Sequence, residues 1–145
     1  MKLRVRLIIS LLVLCMTTCG CELEQRQEKE EERIGNMQIL INDKEYLMDL
    51  EDSETLKSFL ELLPIEMEMS ELNGNEKYGY LASSLPTNDS KIGHIKTGDV
   101  MLYNGNCLVI FYKDFDTSYS YTRIGHIRDL TDIGKTNVTL KIDAK

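Results

Sequence analysis

From residue 37 onward the chain alternates apolar and polar positions with a period of two, the signature of strands with one face buried. Met37, Ile39 and Ile41 oppose Gln38 and Leu40; Ile65, Met67 and Met69 oppose Glu66, Glu68 and Ser70; Val138, Leu140 and Ile142 oppose Thr139 and Lys141. In "VMLYNGNCLVIFY", Asn104 and Gly105 separate two apolar runs. Both residue types tolerate the positive φ of a tight turn, so the segment reads as a hairpin of two central strands. One stretch changes period: Leu56, Phe59, Leu60 and Leu63 recur at helical spacing after Asp52 and Ser53, either of which suits a helix N-cap, and before Pro64, which stops a helix. A single amphipathic helix among seven or eight short strands predicts a mainly β domain. Closing the sheet into a barrel removes its edges, and the helix then plugs an open end. A β-sandwich with a helical crossover is the alternative.

The first twenty residues have a different pattern. Lys2, Arg4 and Arg6 precede an apolar run from Leu7 to Thr18, too short for the roughly 20 residues of a membrane-spanning helix. This is the form of an export signal. The run ends in "TTCGC", where Gly20 before Cys21 resembles a bacterial lipoprotein cleavage site, although Thr18 and Cys19 depart from its usual residues. The resemblance implies a lipid on Cys21; an ordinary secretory signal cut nearby is the alternative. Residues 21–36 then form a lipidated cysteine and a charged tether, "ELEQRQEKEEERIGN", whose fully extended length is about 50 Å at roughly 3.3 Å per residue. Residues 37–145 are the folded domain.

Four cysteines are present, and two of them, Cys15 and Cys19, lie in the signal. With Cys21 consumed by lipid, Cys107 remains, and a lone thiol cannot staple the domain. Within "CLVIFY" it reads as a small buried hydrophobe, with no neighbouring base or cation to activate it. The net charge is −7, and removal of Lys2, Arg4 and Arg6 makes the exported form more acidic still. Nucleic acid is therefore not an expected partner, and adhesion to anionic lipid by charge is not expected either. The expected membrane contact is the lipid anchor, and the expected location is the cell envelope.

The segments "SETLKSFLELLPIEMEMSELNGNEKYGYLASSLPTN" and "IKTGDVMLYNGNCLVIFYKDFDTSYSYTRIG" resemble, in order, those of the bacterial cyclophilin-like fold family. The resemblance runs from about Met37 to Ile142. It implies a closed cyclophilin-like β-barrel of about eight strands, with the amphipathic helix packed on an open end. It also raises peptidyl-prolyl cis/trans isomerisation of exported proteins as an alternative function. The arginine motif of true cyclophilins, with phenylalanine, glutamine and paired glycines, is not found, and there is no tryptophan.

No phosphate-cradling glycine loop, nucleophile elbow or paired-cysteine metal spacing occurs in the chain. His94 and His126 stand far apart, each in an "IGH" stretch without a ligand partner nearby. Neither metal nor cofactor is expected. What remains is an aromatic face. In "SELNGNEKYGYLASSLP", Asn73, Gly74 and Asn75 read as a turn, and Tyr78 and Tyr80 share one side of the next strand. Tyr119, Tyr121 and Arg123 share one side of another extended segment. Together these five residues predict a groove on the barrel side that binds a peptide or small ligand, with Arg123 offering donors to a carbonyl or carboxylate.

Overall fold

The computed structural model describes residues 35–144. The signal, Cys21 and most of the tether lie outside them. Nine strands and one helix are found among the described residues: β1 (Asn36–Ile41), β2 (Lys44–Leu50), α1 (Glu54–Leu60), β3 (Ile65–Leu72), β4 (Glu76–Tyr80), β5 (Ser90–Ile95), β6 (Asp99–Tyr103), β7 (Cys107–Phe111), β8 (Phe115–Ile127) and β9 (Val138–Ile142). Every pairing is antiparallel, and the order β2-β1-β9-β3-β4-β7-β6-β8 is closed by a β2–β8 ladder in which Met48 faces Ile127. Eight strands thus form a closed ring, and β5 lies outside it, paired with β8 alone.

The alternation read from the sequence sets the ring's inner face. Met37, Ile39 and Ile41 from β1, Ile65 and Met69 from β3, and Val138, Leu140 and Ile142 from β9 are all buried in one core. The hairpin turns where expected: Asn104 and Gly105 take φ of +50° and +80°, and Tyr103 pairs with Cys107 across the turn. A second positive-φ turn, Asn42 and Asp43, joins β1 to β2.

Helix α1 is capped by Ser53, whose Oγ accepts from the Leu56 N–H at 3.0 Å. It is shorter than its apolar spacing suggested, ending at Leu60 with Glu61 as C-cap. Proline disfavours helical backbone in the residue before it, so the chain tightens through N–H to C=O bonds from Leu62 to Phe59 and from Leu63 to Leu60. Leu63 still packs against the core from outside the helix. Leu56 and Phe59 are buried in that core, and the Thr55 hydroxyl donates to the Pro86 carbonyl at 2.7 Å, tying α1 to the β4–β5 connection.

Strand β4 carries a lysine among its inward positions. Lys77 is fully buried, and its ammonium donates to the Glu71 carboxylate, to Gly134 O at 2.6 Å and to Thr136 O at 2.8 Å. All three ammonium donors are used, which is what makes the buried charge tolerable. The Tyr112 ring lies 4.5 Å from the same nitrogen, and its hydroxyl donates to Glu71 at 2.8 Å. This polar plug joins β3, β4 and the β8–β9 connection.

A second, smaller core lies on the outer face of the ring. Ile95, Met101, Cys107, Val109, Phe111 and Tyr121 form it, all from β5 to β8. Strand β8 builds it by changing sheets: up to Tyr121 it pairs with β5, and from Thr122 it pairs with β6 and then β2. Its first half, with β5, therefore lies as a strap across the outer side of β6 and β7.

Candidate functional site

Between this strap and β4 opens a cleft of about 570 Å³. Alternation on β4 aims Tyr78 and Tyr80 outward, while Gly79 between them faces the packed side, where a Cβ would stand 2.6 Å from Met67 Sδ. No larger residue fits there without displacing that side chain. Across the ladder Tyr78 pairs with Val109 and Tyr80 with Cys107, so β7 supplies the floor. The strap supplies the opposite wall through Phe115, Thr117, Tyr119 and Tyr121. At one end stands the Asn73–Asn75 turn, with φ of +56° at Asn73 and +69° at Gly74, and the Gly74 N–H donates to Glu71.

Five tyrosines line the cleft: Tyr78, Tyr80, Tyr103, Tyr119 and Tyr121. Two pairs of rings meet nearly at right angles, Tyr78 with Tyr80 at 83° and Tyr103 with Tyr119 at 81°, with centroids 6.0 and 6.2 Å apart, while Tyr103 and Tyr121 are tilted at 50°. Tyr121 is almost wholly buried against Phe111 and Tyr103, whereas Tyr80 and Tyr119 stand at the rim, 67% and 61% exposed. Perpendicular rings present both edges and faces to the space between them.

Two carboxylates, Glu76 and Asp116, also line the cleft, and none of the lining residues is Lys, Arg or His. Burial, followed by the charge of Glu71, raises the Glu76 carboxyl above its ordinary value. Burial, followed by the charge of Glu76, pushes the Tyr121 hydroxyl up to about 12 and raises the Cys107 thiol. Asp116 sits on the exposed strap, where His94 Nδ1 lies 2.7 Å from its Oδ1. The Asn75 Oδ1 is buried with no hydrogen-bond partner. The Cys107 thiol is buried in the outer core and held protonated, so it behaves as part of the floor.

The structure brings together four of the five residues singled out in the sequence, Tyr78, Tyr80, Tyr119 and Tyr121. Arg123 is not among the lining residues. It shares the outer face of β8, opposite Met101, but it lies beyond the point where β8 leaves β5, next to a bulge between Val100 and Met101. Its guanidinium is 3.9 Å from the buried Asp99, whose Oδ1 also lies 3.1 Å from His126 Nδ1. The groove and the arginine are therefore separate features. Tyr103 and Glu76 were missed. Tyr103 stands at the end of one of the two central strands of the hairpin, and Glu76 directly follows the Asn73–Asn75 turn.

The model of the cyclophilin-like family matches residues 39–143. No curated protein gives a significant match. Among solved structures, the solution structure of the hypothetical protein AF2241 from Archaeoglobus fulgidus is similar, with a TM-score of 0.58 and 16% identity over 76% of this chain and 94% of that one. At such identity the likeness is one of fold. The family match spans nearly all of the described residues, from within β1 to the end of β9, and the chain belongs to the cyclophilin-like family.

Proposed function

We propose that the domain is a binding module that takes a peptide or small ligand in the tyrosine cleft, held at the cell envelope by a lipid on Cys21. One observation carries the binding reading. Three large hydrophobic residues are exposed among the described residues, Leu72, Tyr80 and Tyr119, and all three line this one cleft. Scattered apolar exposure is ordinary on a protein surface, but convergence on a concave site marks a place that another molecule covers. The alternative, isomerisation of X–Pro bonds in exported proteins, needs a fixed cation or donor beside the rotating amide. Arg123, the residue that would have supplied it, faces Asp99 instead.

The test is a screen of small polar and peptide fragments by NMR against the full chain in a maltoside detergent. Binding reads as saturation transfer that is lost in a Tyr80→Ala, Tyr119→Ala double variant. Fragments that bind both proteins equally place the contact elsewhere and end the cleft reading. Added proline peptide should show no acceleration of cis/trans exchange.

A further inference from the structure

We infer that the tyrosine cleft selects a small organic ammonium ion, whose charge rests on the tyrosine ring faces with Glu76 as counter-ion. The inference deepens the binding reading above and rests on it. Its basis is the combination of shape, ring chemistry and charge in one place.

Every aromatic ring presents a negative face, and a cation over a ring of this kind gains most where water is partly excluded. Here five such rings converge, and two pairs are set nearly perpendicular, so adjacent walls can face one bound group. A neutral apolar ligand would use the same rings. What tips the choice is the charge of the lining: Glu76 and Asp116 are carboxylates, and no lining residue is a cation. Asp116 is met by His94 on the strap, but Glu76 has no salt-bridge partner among the described residues. The charge felt by Glu76 across the turn is that of Glu71, and that carboxylate is already engaged by Lys77, Tyr112 and Gly74. Asn75, another lining residue, keeps its side-chain oxygen buried with no donor to it. An anionic ligand would meet two carboxylates and no donor cation. A cation would relieve the half-buried Glu76 charge, whose carboxyl is already biased towards protonation by burial.

The volume agrees with the class. A cleft of about 570 Å³ lies within the roughly 300 to 1,000 Å³ range of small-molecule sites, and it leaves room for a trimethylammonium or alkylammonium head with a short polar tail. Tyr80 and Tyr119 at the rim are placed to close over that head.

The experiment compares choline with 3,3-dimethylbutan-1-ol, which has the same shape with a carbon in place of the charged nitrogen. Both are titrated calorimetrically into the full chain in a maltoside detergent. Choline should bind about tenfold more tightly than the neutral alcohol, the combined scale of one partly exposed cation–π contact and the Glu76 charge. Glu76→Gln, which keeps the side-chain shape, should reduce that preference to about twofold without changing the affinity for the alcohol. Tyr119→Leu should weaken choline more than the alcohol. Equal affinities for the two probes would overturn the ammonium inference while leaving the cleft as a binding site. Failure of both probes, or of choline alone, to bind at tens of millimolar would overturn the ammonium inference, and the fragment screen separately decides the cleft reading. Choline binding that ignores Glu76→Gln and Tyr119→Leu would place the cation elsewhere and also overturn the inference.

Discussion

Glu71 and Glu76 flank the same turn, and burial acts to raise both carboxyls, yet the two end on opposite sides of the ordinary value. At Glu71 burial is outweighed by hydrogen bonds from Lys77, Tyr112 and the Gly74 N–H, so its pKa is lowered from 4.5. At Glu76 nothing offsets burial, and the Glu71 charge adds to it, so its pKa is raised from 4.5. The consequences for stability have opposite sign. The Glu71 contribution is present above the unfolded value of 4.5 and is lost as pH falls through the lower folded value. The Glu76 contribution is present below 4.5 and is lost as pH rises through the higher folded value. Thermal melts across pH should therefore show that Glu76→Gln raises or leaves unchanged the neutral-pH stability, with its effect vanishing in acid. Glu71→Leu strands the buried Lys77 ammonium and should cost about 3 to 5 kcal/mol at pH 7. That cost should shrink once the parent's Glu71 is itself protonated; a cost independent of pH would show that Lys77 does not depend on the Glu71 charge. Cys107 offers another residue-scale check. Its thiol is buried and its pKa is raised from 9.0, so alkylation mapped by mass spectrometry should be slow in the native chain and fast after denaturation. Rapid native labelling at Cys107 would contradict its place beneath the tyrosines.

Helix α1 is a short element whose effect lies in two side chains. Phe59 is completely buried and Leu56 nearly so, and Phe59→Ala should cost about 3 to 5 kcal/mol by denaturant unfolding, a large share of a typical domain stability. A loss below about 1 kcal/mol would mean that the ring of strands does not depend on the helix. Strand β8 shows the opposite design, one long element serving two sheets. Because Arg123 stands beyond the handover, Arg123→Ala should leave cleft affinity intact and change stability by about 0 to 1 kcal/mol, as expected of a half-exposed charge. A weakened ligand would return Arg123 to the site. The legibility of these elements follows from their environment. Strands β1 and β9 could be read because each buries one face along its length, and β3 because Ile65 and Met69 are buried with Met67 partly so between them, which imposes alternation. Strand β5 could not, since it buries little besides Ile95 and its register shifts between Lys91 and Gly93. Lys77 was equally hidden, because the carbonyls that receive its protons lie at residues 134 and 136 and come near only when the ring closes. Tyr78 and Tyr80 were visible through spacing within one strand. Tyr103 joins Tyr119 and Tyr121 only through the β6–β8 pairing, which spacing along the chain does not reveal.

At the scale of the whole chain, the proposed lipid anchor and the folded domain can be separated by one substitution. A Cys21→Ser chain should leave the membrane fraction while keeping the folded domain's cooperative melt, because an acyl anchor and a packed ring draw on different parts of the sequence. Persistence in the membrane fraction after normal processing would contradict lipid anchoring at Cys21. Closure of the ring has one more effect, on association between molecules. Each of the eight ring strands has partners on both sides over part of its length, whereas β5 pairs with β8 alone and, among the described residues, keeps one side free throughout. That side is blunted by a register shift, by Gly93 at φ +74° and by the exposed charge of Lys91. Straightening it, for instance with Lys91→Val and Gly93→Val together, should produce concentration-dependent oligomers detectable by light scattering; a monomer at every concentration would show that this edge does not limit association. The strap that walls the cleft thus also carries the strand side whose irregularity sets how readily a further copy could pair with the sheet.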